Sequence, residues 1–219
     1  MEIEPAGFAQ GEVSMNSRDA ILARVYRSTC PPADPVQYSQ QITVADAAGI
    51  ARFAMLAADT QMTVDQVSEM AAVPGAVAQY LAEHNLAARV SLDVELNIAA
   101  VDWQDAGVAT PTTKVAADGD VYVGVGLAAV AECGALVISS RPGHALANEF
   151  LAQTHIAVLR AERVITSFGA LWALLRGDPD DMPREFCLVT GPSRTADLGV
   201  PAKLGAHGPA RVHVLVVGA

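Results

Sequence analysis

The chain has 219 residues, of which 52% are hydrophobic and 17% charged, as in a globular protein with one main core. Its 14 basic residues are scattered among 24 acidic ones, and the formal net charge of -10 argues against a nucleic-acid partner. No apolar run approaches the roughly 20 residues needed to cross a bilayer, and no secretory pattern opens the chain, so we expect a cytoplasmic protein without a membrane span.

The first predicted element is a short amphipathic helix in SRDAILARVYR, with Ser17 as its cap. The segment CPPADP at residues 30–35 must end it, because proline lacks an amide hydrogen and clashes with the preceding helical turn. We therefore expect residues 1–35 to form an amino-terminal extension and residues 36–219 to form an α/β domain. Within that domain, helices are predicted at 44–58 and 74–85, and extended segments at 61–64 and 88–92.

The second half is marked by apolar runs that predict five strands, at residues 121–125, 135–139, 155–159, 186–190 and 211–217. Ser167 is expected to cap a helix in FGALWALLR, and residues 101–120 to form a long loop. Apolar strands separated by helices predict an α/β fold with a mixed, mostly parallel sheet flanked by helices. The runs at 121–125 and 135–139 are close enough in sequence to form an antiparallel or irregular pair.

Two patterns that are typical of cofactor or metal sites are weak in this chain. Residues 124–129, GVGLAA, fit the GxGxxA dinucleotide pattern, but too few residues follow for its helix, which favours a glycine-rich turn. Cys30, Cys133 and Cys187 are far apart and odd in number. We therefore expect buried thiols, and neither an iron–sulfur cluster nor a zinc site, in this chain.

Glu132 and His207 are the candidate proton-transfer residues. Glu132 precedes a small-residue turn in AECGALV, where its carboxylate either caps a nearby backbone amide or contacts a ligand and moves a proton. His207 in GAHGP is either a turn residue or an acid–base group, because histidine titrates near neutral pH. His144, in a loop, and His155, at a strand start, form no HxxxH or HExxH pair, and we expect no metal site.

The richest polar segment is VTGPSRTADL, between two apolar runs. Thr190 ends a predicted strand, and Ser193 is expected to cap a short helix. The free amides of that helix, with Arg194 and Thr195, would bind a carboxylate or phosphate. Asp197 would either pair with Arg194 or accept a hydrogen bond from a ligand hydroxyl. The candidate ligand-binding residues are Thr190, Gly191, Ser193, Arg194, Thr195 and Asp197.

The order of these segments resembles the lactate utilization protein C family, the LUD domain. VTGPSRTADL, then LGAHGP, then RVHVLVV is similar to the family's TGPSRTADIE segment, its G-x-HGP turn and its last strand. GLAAVAECGALVISS is similar to the family's IAETGTLVL segment, and THIAVLRAERVI to its next strand and turn. The resemblance spans about residues 17–218, and its specific part is confined to about the last hundred residues.

The resemblance implies the NagB/RpiA/CoA transferase-like fold and a subunit of an L-lactate oxidation system that forms pyruvate. It also implies a small anionic substrate, no cofactor in this chain itself, and iron–sulfur clusters in partner proteins. Carried over residue by residue, it marks Glu132 and His207 as catalytic and residues 190–197 as the ligand loop. It marks a structural turn at Gly134, Gly205, Gly208 and Pro209.

The chain departs from the family pattern in two places. Cys133 stands where Thr is usual, and residues 198–201, LGVP, replace an Ile-Glu pair, so an acidic group after Asp197 is absent. The Gly and Pro limit any helix after Ser193 to about one turn. Two other functions stay open: a non-catalytic scaffold or regulatory subunit, in which residues 190–197 and 205–209 are an interface or a requirement of the fold, and an independent transferase or isomerase of the same fold.

Overall fold

The computed structural model describes residues 17–27, 41–93, 101–112, 120–141, 144, 146–177, 182–195 and 203–219. The chain divides into two units, residues 1–37 and 38–219. In the first unit, helix α1 at Ser17–Arg27 confirms the helix predicted in SRDAILARVYR. The remaining elements all belong to the second unit.

A six-stranded parallel sheet forms the centre of the second unit. Its strands, in spatial order, are β1 (Thr63–Val67), β12 (Arg211–Val217), β7 (Thr154–Arg160), β4 (Val121–Val125), β2 (Arg89–Leu92) and β3 (Ala109–Thr112). Continuous apolar runs such as VYVGV in β4 are buried, as expected for parallel strands covered on both faces. The predicted α/β class with a mostly parallel sheet is confirmed.

Two helices cover opposite faces of the main sheet. Side chains alternate between the two faces along a strand, so consecutive residues of β12 show which helix lies on which face. Phe53 of the first helix packs in one core cluster with Val214 of β12. Val77 of the second helix packs in another core cluster with Leu215, the next residue of β12. The two predicted helices are confirmed as α2 (Ala47–Asp59) and α3 (Val73–Glu83).

A second sheet has four strands, in the order β8 (Val164–Ile165), β5 (Ala128–Val130), β6 (Ala135–Ser139) and β9 (Phe186–Val189). β6 is antiparallel to β5 and to β9, whereas β5 and β8 are parallel. The runs at 121–125 and 135–139, whose closeness left such a pair open, do not pair and lie in different sheets. The last hydrogen bond of this segment to the main sheet runs from the Gly126 amide to the Val158 carbonyl. Beyond Gly126 the chain enters the second sheet, where the short strand β5 pairs with β6.

Helix α5 (Phe168–Leu175) packs on the second sheet through Ala170, Leu171 and Leu175. The hydroxyl of Ser167 accepts a hydrogen bond from the Ala170 amide at 3.3 Å, which confirms the predicted cap. Within the described ranges, no helix is long and apolar enough to cross a membrane.

Three further short elements of the second unit correct two expectations. Helix α4 (Ala147–Leu151) precedes β7, and β10 (Arg194–Thr195) pairs with β11 (Lys203–Leu204). The expected helix after Ser193 is therefore wrong at its first residues, because backbone bonds of Ser193 to Pro209 and Gly205 hold it beside extended chain. The expected loop at 101–120 contains β3, which pairs with β2.

Candidate functional site

Five ionisable side chains meet in the second unit, and we call them the buried charge cluster: Asp93, Arg141, His144, Glu149 and His155. Asp93 follows β2, Arg141 and His144 follow β6, Glu149 lies in α4 and His155 lies in β7. All except Arg141 are at most 9% exposed. Because four separate elements supply these side chains, no local sequence motif encodes the cluster.

The buried charge cluster is a continuous chain of ion pairs. The Arg141 guanidinium pairs with the Asp93 carboxylate, and Nδ1 of His144 lies 2.9 Å from the same carboxylate. On its other side, Nε2 of His144 lies 3.2 Å from Oε1 of Glu149. Glu149 also pairs with Nε2 of His155. Each buried carboxylate therefore has two nitrogen groups beside it, which offsets the cost of removing its charge from water.

Burial and pairing act in opposite directions on the pKa values of these groups. Burial lowers the pKa of His144, but the adjacent carboxylates of Asp93 and Glu149 outweigh it and raise the pKa to about 9. Burial raises the pKa of Glu149, but the adjacent imidazoles of His155 and His144 outweigh it and lower the pKa to about 2. At neutral pH, this arrangement favours a charged His144 ring between two carboxylates.

Gly124 of β4 leaves room for the Glu149 carboxylate. A Cβ atom at Gly124 would lie 2.7 Å and 2.9 Å from the two oxygens of Glu149, and 3.0 Å from Cε1 of Tyr122. Any larger residue would displace the carboxylate. Burial, together with the charges of Asp93 and Glu149, raises the pKa of Tyr122, so its hydroxyl stays neutral beside the cluster.

Ser193 joins the two segments singled out in the sequence, residues 190–195 and 205–209, which we call the signature loops. Its amide donates to the Pro209 carbonyl at 2.8 Å, and its carbonyl accepts from the Gly205 amide at 2.9 Å. Its hydroxyl accepts from the His207 amide at 3.4 Å. Arg194 and His207 are both exposed. The signature loops therefore form one structure that presents a guanidinium and an imidazole to solvent.

Glu132 and Gly134, also singled out in the sequence, lie apart from the signature loops, in the turn between β5 and β6. Glu132 is exposed in the turn between β5 and β6, where its carboxylate accepts a hydrogen bond from the Phe168 amide at 3.0 Å, at the start of α5. Gly134, in the same turn, has a φ of +69°. The turn belongs to the second sheet, whereas residues 205–209 lead into β12 of the main sheet. Glu132 thus acts as a cap of α5, one of its two expected roles.

Around Ser193, Thr190 is exposed after β9. Gly191 has a φ of +117°, and a Cβ atom there would collide with the Thr60 carbonyl at the end of α2. Asp197, with its expected pairing to Arg194, lies outside the described residues, as does Cys30. Cys133 and Cys187 are free, partly buried thiols, and burial raises the pKa of Cys187.

Helix α4 lies next to both candidate sites. A Cβ atom at Gly208 would lie 3.3 Å from Cβ of Ser193 and 3.9 Å from the Phe150 carbonyl of α4. The Ala210 amide donates to the Gln153 carbonyl, just after α4, at 2.9 Å. Glu149, one residue before Phe150, belongs to the buried charge cluster. Helix α4 therefore carries one member of the cluster and lies close to residue 208 of the signature loops.

A further buried histidine, His213 of β12, packs against α3. Its Nδ1 lies 2.8 Å from the Thr63 hydroxyl, and its ring stacks on Tyr80 with 4.3 Å between the ring centroids. Burial lowers its pKa to about 4, against the opposing effect of the Asp65 carboxylate. At neutral pH His213 is uncharged, as its apolar surroundings require.

Most of the chain matches a known family: residues 50–217 fit the sequence model of the LUD domain. The chain belongs to the LUD domain family. The LUD chain is similar to Lactate utilization protein C of Exiguobacterium sp., with 28% identity over 143 residues, 64% of this chain and 61% of that protein. Lactate utilization protein C of Geobacillus kaustophilus is 30% identical over 91 residues, 40% of this chain and 38% of that protein.

The LUD chain thus spans less than two thirds of the length of these curated relatives. Its fold is similar to the crystal structure of a DUF162 family protein from Deinococcus radiodurans, with a TM-score of 0.57 and 20% identity. That likeness covers 80% of the LUD chain and 99% of the other chain. At this identity it shows the fold alone, and it agrees with the predicted α/β class.

Sequence reasoning did not identify the buried charge cluster of the LUD chain. A signal exists in ALANEFLAQTHIAV, where Glu149 lies among Leu146, Phe150 and Leu151 just before a buried strand. An acidic side chain in such surroundings is buried only when it is paired. Asp93 carries no comparable signal, because its partners are distant in sequence and follow other strands.

Proposed function

We propose that this LUD chain takes part in lactate utilization, as a cytoplasmic subunit that binds lactate or pyruvate beside iron–sulfur partner proteins. Membership of the LUD domain family and similarity to proteins named Lactate utilization protein C support this role. The observation that carries the ligand site is the joining of the two signature loops through Ser193.

The signature loops have the chemistry of a carboxylate site. Arg194 is exposed in β10, and a guanidinium binds a carboxylate through two parallel hydrogen bonds. The Ser193 hydroxyl accepts from the His207 amide and keeps its own hydrogen for a ligand. The exposed His207 ring adds a group that donates or accepts a proton. A small 2-hydroxy or 2-oxo acid offers these side chains a carboxylate and a second oxygen.

Oxidation of L-lactate to pyruvate releases two electrons and two protons. In this proposal, iron–sulfur clusters of partner proteins supply the electron acceptor, because Cys133 and Cys187 belong to no cluster-binding motif. His207 is the better placed of the two proposed proton-transfer residues. The backbone amide of His207 donates a hydrogen bond to Ser193, the neighbour of Arg194. The Glu132 carboxylate instead accepts a hydrogen bond from the Phe168 amide at the start of α5.

Titration of the full chain with L-lactate and with pyruvate, followed by isothermal calorimetry, tests the ligand site. We expect saturable binding of at least one acid, and loss of that binding in Arg194→Ala. Arg163→Ala is the matched control, because Arg163 is also exposed but follows the opposite end of β7. The ligand site is refuted if neither acid binds, or if Arg194→Ala binds as the wild type does.

A scaffold role is the second candidate, and the exposed leucines beside the signature loops favour it. Leu188 in β9 is 43% exposed and Leu204 in β11 is 45% exposed. Apolar side chains at such positions are typical of protein interfaces. A scaffold predicts that Leu188→Glu abolishes co-purification with the iron–sulfur proteins of a lactate utilization system while Arg194→Ala retains it. A ligand-binding subunit alone predicts no effect of Leu188→Glu on lactate binding, because Leu188 pairs with Val137 in the second sheet and not with β10.

A further inference from the structure

The buried charge cluster contains polar atoms that no hydrogen bond satisfies. Within the described ranges, both oxygens of Glu149, Nε2 of His144 and Nε2 of His155 are fully buried, and their ion-pair contacts with one another lack hydrogen-bond geometry. Buried polar atoms are normally paired, and those that are not call for a bound group or another explanation. All four atoms belong to the same cluster, so a single bound group next to Glu149 would satisfy several of them.

The distances within the cluster fit a metal coordination shell. One ligand atom from each of Asp93, His144 and Glu149 lies within 4.8 Å of the other two. Zinc binds nitrogen and oxygen at about 2.0–2.2 Å, which places neighbouring ligand atoms about 2.8–3.6 Å apart. The 3.2 Å between Nε2 of His144 and Oε1 of Glu149 has this length, and it does not have hydrogen-bond geometry.

We propose that the buried charge cluster binds one divalent transition-metal ion, of the class of Zn²⁺ or Mn²⁺, through Glu149, His144 and Asp93. A mixed imidazole and carboxylate set suits these ions. His155 pairs with the Glu149 carboxylate and orients it, as outer partners of metal ligands do. Three protein ligands leave at least one position open for water or an anion. The site goes beyond the proposed function, because no residue of the signature loops takes part.

Charge and access are compatible with this ion. The two carboxylates of Asp93 and Glu149 exceed the single fixed charge of Arg141 by one, and a bound ion supplies positive charge in place of the proton on His144. The Arg141 side chain is 23% exposed, while the other four are at most 2% exposed, so Arg141 is the member of the cluster that reaches solvent. A proton on His144 is the competing occupant, because it neutralises the same carboxylates. The sequence-based expectation of no metal in this chain is thereby open to direct test.

The full chain, treated with EDTA and dialysed, is titrated with Zn²⁺ and with Mn²⁺, and bound metal is measured by mass spectrometry. We expect one ion per chain. Glu149→Gln should weaken metal binding by more than about tenfold. Mutation of residues that only support a metal ligand already weakens binding by about 10–100-fold, and Glu149 is itself a proposed ligand. Glu162→Gln is the control, because Glu162 is exposed in the turn after β7 and should leave the affinity unchanged.

A second measurement covers the case in which Glu149→Gln does not fold. Co²⁺ bound to the wild-type chain should give visible absorption bands of a nitrogen–oxygen site, which Zn²⁺ removes by competition, and Asp93→Asn should weaken those bands. Failure of the wild-type chain to bind either ion would overturn the proposal and leave the proton as the occupant. Equal affinities for wild type and a folded Glu149→Gln, the sign of surface binding only, would also overturn it.

Discussion

Replacing Gly124 with alanine tests whether the buried charge cluster is a rigid part of the fold. The added Cβ atom would lie 2.7 Å and 2.9 Å from the oxygens of Glu149, whereas ordinary contacts begin at 3.4 Å. Glu149 must therefore move by several tenths of an ångström, which weakens its ion pairs with His144 and His155. Overpacking of a buried site typically costs about 1–3 kcal/mol of unfolding free energy.

Differential scanning calorimetry measures this effect. In a domain of this size, each kcal/mol shifts the unfolding midpoint by roughly 2–4 °C, so a cost of about 2 kcal/mol lowers it by about 4–8 °C. Gly75→Ala is the matched control, because nothing lies within 4 Å of the added Cβ atom in α3. Alanine there should raise stability by up to about 1 kcal/mol. An unchanged midpoint in Gly124→Ala would refute a rigid, tightly packed cluster.

Three further changes test other contacts. Burial lowers the pKa of His213 from 6.5 to about 4, so the unfolded chain binds the proton more tightly than the folded chain does. The free energy of unfolding therefore decreases as the pH is lowered from 6.5 to about 4. The expected loss from pH 8 to pH 5 is about 2 kcal/mol, and urea unfolding of His213→Gln should show a flatter pH dependence. Glu132→Ala should lower stability by about 1 kcal/mol, because the Phe168 amide loses its acceptor, whereas Glu162→Ala should have no effect on urea unfolding. Gly191→Ala should cost more than about 1 kcal/mol in the same assay, because a side chain at φ +117° meets the Thr60 carbonyl; wild-type stability would contradict this.

The regular elements were predictable because their hydrophobic patterns are uninterrupted. The predicted bounds of β4 and β12, residues 121–125 and 211–217, agree with the structure. Helix α2 begins later than predicted because Asp46 caps it, accepting from the Gly49 amide at 2.9 Å, while Val44 bridges to Ile165. Strand β5 was missed because it has only three residues, AAV, and its two alanines carry little strand propensity.

The candidate site was predictable only in part. The order of the motifs around Ser193 and His207 indicated that the two segments meet, and the hydrogen bonds of Ser193 join them. The strand at Arg194 was not predictable, because β10 and its partner β11 have only two residues each, too few to show a hydrophobic period. The buried charge cluster depends on side chains that follow β2 and β6, and only the packing of two sheets brings these side chains together. Periodicity within one segment contains no such information.

The central claim, that this LUD chain takes part in lactate oxidation, is tested most directly by reconstitution with the iron–sulfur proteins of a lactate utilization system. Lactate-dependent reduction of an artificial electron acceptor is the measurement. We predict that the rate falls to background without the LUD chain, that wild type and Arg163→Ala restore it, and that Arg194→Ala does not. A full rate in the absence of the LUD chain would contradict the claim.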